Sequence, residues 1–527
     1  MRFFNTAGPV DCQRHYCLPP LERLNLNYVL QLIDQQKYFV LHASRQTGKT
    51  SVLLALMDYL NRQGRYRCLY INIEIGQAAR EQVERALRAI LGELASRARI
   101  FLEDEFVESI WTGVLDRHGA EGALNEVLTR WAAHDSRPLV LLIDEIDSLI
   151  GDTLIAVLRQ LRAGYDKRPY HFPQSVILCG VRDVRDYRIH SASEKTIITG
   201  GSAFNIKAKS LKLGDFSRPE VERLYAQHTE ETKQIINPDA LERLWELTQG
   251  QPWLVNALGY ETCFEMEAGQ DRRQPITVEM VNEAKENLIL RRETHLDQLA
   301  DKLQEERVRR VIEPVLAGYR LAEDFRQDDV NYLVDLGLIR QDVGGGIRLA
   351  NPIYQEVIPR ELAWTIQSGM AEQVAWYVNP DSRLNMTKLL AAFQEFFREH
   401  SEHWVERFQY KEAGPQLLLQ AFLQRLVNGG GRIEREYGLG RMRTDLLVLW
   451  PYPAGVQKVV IELKVLHKTL EQTVATGLEQ TWSYLDRCGA EEGHLVISDR
   501  TPNKPWEEKL FQREASIHGC TLQVWGM

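Results

Sequence analysis

The sequence predicts a multidomain α/β protein. Three observations carry this. Short apolar runs alternate with longer amphipathic stretches over the first 214 residues, as in a parallel sheet flanked by helices. The apolar runs then give way to helical spacing from Asp215 to about Leu290. Strand-like runs return after Lys411, and charged residues are set within them. A chain of 527 residues is too long for one core and calls for roughly three or four domains.

Four front segments, KYFVLHA, RCLYINIEI, PLVLLID and SVILCGV, read as strands buried on both faces. SVLLALMDYLNRQ and REQVERALRAILGELASRA read as the helices between them. PEVERLYAQHTEE and DALERLWELTQ are amphipathic helices, with Pro219 suited to a helix start. DVNYLVDLGLI followed by IRQDVGGGIRLANPIYQEVI reads as a helix and two strands joined by a glycine-rich turn, the order of a winged helix. Residues 363–410 read as a mostly helical linker.

Composition narrows the class. With 44% hydrophobic and 26% charged residues the chain is that of a soluble globular protein. No run approaches the ~18 apolar residues of a membrane helix, so no membrane partner is expected. The opening MRFFNTAGPVDCQRHYCLPP lacks the apolar core of a secretory signal. Seven scattered cysteines, an odd number, fit free thiols in a reducing cytoplasm. Cys12 and Cys17 flank His15, but no second ligand pair follows to complete a zinc site. The net charge of −9 places any nucleic-acid contact on local clusters. One runs from Arg159 to Arg188, and the other comprises Arg432, Arg435, Arg441 and Arg443.

Ala43-Ser44-Arg45-Gln46-Thr47-Gly48-Lys49-Thr50 follows an apolar strand and opens an amphipathic helix, the context of a phosphate-binding loop. Loop and helix N–H groups, with Ser51 just inside the helix, would cradle ATP phosphates. Lys49 would reach the β and γ phosphates, and the Thr50 hydroxyl would hold Mg²⁺. Ala43 stands where the pattern has glycine, and its small side chain keeps the bend. PLVLLIDEID ends a strand in Asp144, placed to position Mg²⁺, and Glu145, placed to activate the attacking water. Arg182 follows the strand SVILCGV, and Gly250-Gln251-Pro252 interrupts a helical run.

These four features in this order resemble the AAA+ superfamily, in particular its STAND-like and archaeal-type ATPases. The resemblance spans about 360 residues. It implies that Arg182 and Pro252 contact nucleotide, and that a winged helix follows the lid. Arg182 and Gly250-Gln251-Pro252, reading nucleotide from opposite sides of one pocket, lead to the expectation of an ATP-dependent homo-oligomer, with Arg185 and Arg188 the nearest candidates for a trans-acting arginine.

Near the C-terminus, RIEREYGL, RTDLLVLW and QKVVIELKV are strand candidates carrying Asp445, Glu462 and Lys464. Alternation puts Glu462 and Lys464 on one face with Val460. A charged pair in an apolar strand is costly unless paired or metal-bound. Asp445 and Glu462 supply the hard oxygens Mg²⁺ prefers, and Lys464 is suited to orienting an attacking water. Gln480 and Tyr484, four apart, share a helix face. The set resembles the PD-(D/E)XK nucleases, with Gln480 and Tyr484 matching the Q-x-x-x-Y element of the recombination-exonuclease branch. It implies an αβββαβ restriction-endonuclease-like domain using Mg²⁺, with Mn²⁺ accepted. Glu412, Glu434 and Glu436 are candidates for an upstream acid. The flanking arginines would hold DNA phosphates without sequence specificity.

The expected organisation is therefore an ATPase core at 1–214, a helical lid at 215–293, a winged-helix-like unit at 294–362, the linker, and a nuclease domain at 411–527. The expected function is an ATP-regulated, Mg²⁺-dependent deoxyribonuclease of prokaryotic defence against phage or mobile elements. A nucleotide-switched scaffold and a DNA-repair ATPase are the alternatives.

Overall fold

The computed structural model describes residues 1–183, 188–191, 196–199, 204–291, 302–303, 305–316, 326–341, 346–358, 377–407, 419, 422–423, 432–439, 442–466, 469–499, 501 and 504–527. By contacts the chain divides into two units: residues 1–297 with 330–341 and 350–353, and residues 298–329 with 342–349 and 354–527. Among the described residues no helix is long and apolar enough to cross a membrane.

In the first unit β1 (Tyr38–His42), β2 (Arg67–Asn72), β3 (Leu139–Asp144) and β4 (Ser175–Gly180) coincide with the four apolar runs. The hairpin of β5 (Arg188–Ser191) and β6 (Thr196–Thr199) follows, then β7 (Lys207–Lys212). The main sheet is ordered β2-β3-β4-β1-β7, with every neighbouring pair parallel. Successive residues of β1 feed opposite layers. Val40 packs with Leu69, Leu141, Leu178 and Trp131. Phe39 and Leu41 pack with Val52, Leu56, Cys68 and Leu142 across the sheet. Helices Val83–Leu102, Phe106–His118 and Ala120–His134 cover the first layer. Helix Lys49–Gln63 covers the second.

Helices Arg218–Thr232, Pro238–Thr248, Pro252–Tyr260 and Val278–Leu290 follow, as the helical spacing predicts. Ser217 and Glu220 close a capping box on the first of them, and Pro219 sits in its opening turn. Helix Gln327–Leu336 and the short strands β8 (Ile339–Gln341) and β9 (Ile347–Leu349) occupy the stretch read as winged helix. Residues 352–358 are helical, where the sequence reading continued the strand.

The second unit is built on a mixed sheet of β10 (Arg432–Leu439), β11 (Met442–Tyr452), β12 (Gly455–Val465), β13 (Glu492–Ser498), β14 (Phe511–Ile517) and β15 (Cys520–Gly526). Its order is β10-β11-β12-β13-β15-β14. β10 to β12 are antiparallel, β13 is parallel to both β12 and β15, and β14 is antiparallel to β15. Helix Leu470–Cys488 packs Tyr484 and Leu485 onto Leu447, Val460 and Leu522. Residues 377–407, read as linker, hydrogen-bond into this sheet. Leu384 N donates to Gln457 Oε1 at 2.8 Å, and Gln394 Nε2 donates to the Gly526 carbonyl at 2.7 Å. The helix expected at GPQLLLQAFLQRL lies largely outside the described residues.

Two readings change. Cys12 and Cys17 form a disulfide, so they are neither free thiols nor a zinc pair. Their Cα atoms are 5.1 Å apart, within bonding reach that sequence spacing alone does not disclose. Cys68, Cys179, Cys263 and Cys488 are buried free thiols, and Cys520 is exposed. In the Arg159–Arg188 cluster, Lys167 donates to Asn125 and Thr129, and Arg168 lies over the Tyr38 and Tyr165 rings. Those two cations serve packing within the unit.

Candidate functional site

The loop between β1 and helix Lys49–Gln63 turns on two left-handed residues, Gln46 (φ 56°) and Gly48 (φ 89°). Gly48 is the helix N-cap, and no side chain caps that end. Unpaired N–H groups at such an end favour an anion. Ala43 and Thr47 are buried and Arg45 is exposed. Buried Lys49 donates from Nζ to the carbonyls of Ala43 (3.1 Å) and Ser44 (3.0 Å), so its ammonium stays with the loop.

β3 delivers Asp144 to the same place. Thr50 Oγ1 donates to Asp144 Oδ2 at 2.7 Å, and the Tyr70 hydroxyl donates to that oxygen at 3.1 Å. Two hard oxygens at this spacing fit the donor set that Mg²⁺ takes beside a nucleotide. Glu145 follows in a left-handed conformation (φ 56°). Burial pushes its carboxyl up to about 7, Asp147 adds to the rise, and Lys49 opposes it. Asp147 Oδ2 accepts from Val181 N at 3.2 Å, tying the exit of β3 to the exit of β4.

Arg182 lies beside helix Gln327–Leu336. Its Nε is 3.7 Å from Asp335 Oδ2, and its guanidinium carbon is 4.7 Å from the Tyr332 ring centre. Pro252 starts a helix whose N-cap, Gln251, accepts from Leu254 N at 2.6 Å. Gly250 has φ 80°, and a Cβ there would lie 1.9 Å from the Phe216 carbonyl oxygen. That position is glycine for steric reasons.

Sequence reasoning missed the N-terminal segment. Val10 N donates to Ser51 Oγ (3.0 Å), and Cys17 N donates to Gln227 Oε1 (3.0 Å) on helix Arg218–Thr232. Trp253 Nε1 donates to the Thr6 carbonyl (3.0 Å). The segment therefore connects the loop helix to the helices Arg218–Thr232 and Pro252–Tyr260. It has no periodicity to announce this, because its contacts are scattered backbone hydrogen bonds and single buried rings such as Phe4 on Tyr225 and Tyr16 on His228. Arg185 lies outside the described residues, and Arg188 heads β5.

In the second unit Glu462 is only 2% exposed, and one of its oxygens accepts from Lys464 Nζ at 2.7 Å. Their shared face, with Val460, is the one that helix Leu470–Cys488 covers. That helix buries Tyr484 and places Gln480 with a buried Oε1 that has no hydrogen-bond partner among the described residues. Leu446 pairs with Ile461, so their neighbours Asp445 and Glu462 come at the same level of adjacent strands. The side chains of Asp445, Glu434, Glu436, Arg432, Arg435 and Arg443 are not among those described, and Glu412 and Arg441 lie outside the described residues. Among the described residues no cluster of three or more potential metal ligands occurs.

A parallel sheet, a glycine-turned loop at a helix N-terminus and a facing acid at the end of β3 define a P-loop ATPase-like protein. The chain belongs to the AAA-like domain family, which it matches over residues 21–356. No curated protein matches it. Solved structures are similar at low identity. The Walker-type ATPase PABY2304 of Pyrococcus abyssi shares 14% identity at a TM-score of 0.45, over 67% of this chain and 99% of that one. RuvB of Thermotoga maritima shares 13% at 0.34, over 64% and 94%. Cdc6p of Pyrobaculum aerophilum shares 14% at 0.35, over 66% and 93%.

Proposed function

We propose that the chain is an ATP-regulated, Mg²⁺-dependent nuclease acting on DNA. In this reading the first unit binds and hydrolyses ATP. Loop N–H groups and Lys49 hold the phosphates, Glu145 orients the attacking water, and Arg182 and Pro252 read the nucleotide. Thr50 and Asp144 are the residues that would hold Mg²⁺, which when bound neutralises phosphate charge.

The observation that carries the nuclease half is buried Glu462 paired with half-buried Lys464 on β12, on the face covered by the helix that bears Gln480 and Tyr484. A carboxylate in an apolar strand is retained against its desolvation cost where it has chemistry to perform. Asp445 and Glu462 would hold the metal that polarises the scissile phosphate. Lys464 orients water, and the free acceptor on Gln480 would accept a hydrogen bond from that water. Prokaryotic defence is the setting in which such a pairing of ATPase and nuclease is useful.

The test is incubation with linear, circular and single-stranded DNA and with RNA, with and without ATP and Mg²⁺. Metal-dependent DNA cleavage that responds to ATP supports the reading. An inert protein that changes mass with ATP in light scattering favours the nucleotide-switched scaffold.

A further inference from the structure

Arg23 is a half-buried cation that the reading above does not use. It ends the short 3₁₀ turn Pro20–Arg23, which packs on helix Lys49–Gln63. One guanidinium nitrogen, Nη1, donates to the Thr47 carbonyl, and Nη2 donates to the Gly214 carbonyl at 2.7 Å. The guanidinium carbon lies 4.7 Å from the centre of the Phe216 ring. Phe216 N in turn donates to the Gly250 carbonyl at 2.8 Å, at the turn that begins the helix of Pro252. One side chain thus joins the apex of the phosphate loop, the exit of β7 and the entry to the lid.

The chemistry lies in the peptide between Thr47 and Gly48. In a trans peptide the C=O and N–H point in opposite directions. A guanidinium bound to the Thr47 oxygen therefore fixes the Gly48 N–H pointing away from Arg23. A charge-assisted bond on the oxygen also polarises the amide and makes that N–H a stronger donor. Gly48 is constrained from the same side, since a Cβ there would meet Arg23 Nη1 at 2.8 Å. Burial lowers the Arg23 pKa to about 10, opposed by Glu220 and Asp215, so the group remains cationic at neutral pH.

We propose that Arg23 is a positioning residue of the nucleotide site, holding the Gly48 N–H toward the β-phosphate and linking the loop to the lid entry. This rests on the ATP-site reading above.

The experiment compares the full chain with Arg23→Met, which keeps the stem, and Arg23→Lys, which keeps the charge. Fluorescent ADP titration, steady-state ATP hydrolysis and the thermal midpoint are measured, with Lys49→Ala in parallel. The expected result for Arg23→Met is binding weakened about tenfold or more for ADP and ATP alike, as for loss of a charged hydrogen bond. Its kcat at saturating ATP stays near wild type, and Arg23→Lys recovers part of the affinity. Wild-type affinity in Arg23→Met overturns the proposal. So does a fall in kcat and thermal midpoint together with no selective loss of affinity. A wild-type chain that binds no nucleotide removes the ATP-site reading and the proposal with it.

Discussion

Thr50 Oγ1 donates a 2.7 Å hydrogen bond to Asp144 Oδ2, joining the first turn of the loop helix to the end of the central strand β3. The two residues are far apart in sequence and meet because β1 and β3 both flank β4 and run parallel in one sheet. Each depends on the other's position, so the site's chemistry should respond to both.

Lys49→Ala is expected to abolish ATP binding and leave the second unit folded. Thr50→Val should weaken Mg²⁺-dependent binding more than metal-free binding. Glu145→Gln should retain ATP and lose turnover, because it removes the group that activates water and spares the loop. Calorimetric titration alongside phosphate release separates the three. Normal binding in Lys49→Ala would falsify the site assignment.

Gly250→Ala should be costly although it adds only a methyl. The residue has φ 80°, and the new Cβ would lie 1.9 Å from a backbone oxygen that cannot swing aside. Left-handed strain alone is about 1–2 kcal/mol, and the collision adds to it, for a loss of at least about 2 kcal/mol. Urea unfolding followed by tryptophan fluorescence measures it. An unchanged midpoint contradicts the described turn.

Asp104 offers a pH-dependent test. Burial would raise its carboxyl. Donation from Trp131 Nε1 at 2.7 Å and Phe106 N at 2.9 Å, together with Arg67, outweighs this and leaves its pKa below the usual carboxylate value. A group depressed on folding contributes stability above its unfolded pKa, and that stability is lost as pH falls through the folded one. Asp104→Asn should therefore cost about 2–3 kcal/mol at pH 7, since Arg67 keeps Asp135 at 3.4 Å. The gap between variant and wild type should close in acid. A gap of constant size from pH 7 to pH 3 contradicts the assignment.

The four central strands were legible because strands buried on both faces are unbroken apolar runs. β7 was not, because KAKSLK is an edge strand whose lysines mostly face solvent or, as Lys207 does, pair with Asp183. The phosphate loop and Asp144 were legible as a spaced pattern. Tyr70, Asp147 and Arg23 were not, because they enter through tertiary contacts that no local spacing encodes. In the second unit the face shared by Glu462 and Lys464 follows from two-residue alternation. β14 and β15 escaped because REASIHGCTL alternates weakly, and the contacts of 377–407 escaped because a helix on a sheet reads the same as a helical connector. The disulfide was invisible in cysteine counting, which gives number and spacing but no distance.

The most direct test of the central claim is DNA cleavage by Glu462→Gln, with Asp445→Ala and Lys464→Ala alongside. ATP and Mg²⁺ are supplied, and folding is checked by circular dichroism. Glutamine keeps the size of Glu462 and removes the charge that Lys464 and a metal would share. The account predicts metal-dependent cleavage in wild type and its loss in each single variant. The losses should be non-additive, because the three residues act as one unit, with a smaller loss in Gln480→Ala. A folded Glu462→Gln protein that cuts DNA at the wild-type rate contradicts the account. The Glu462–Lys464 pair would then be a structural ion pair within β12.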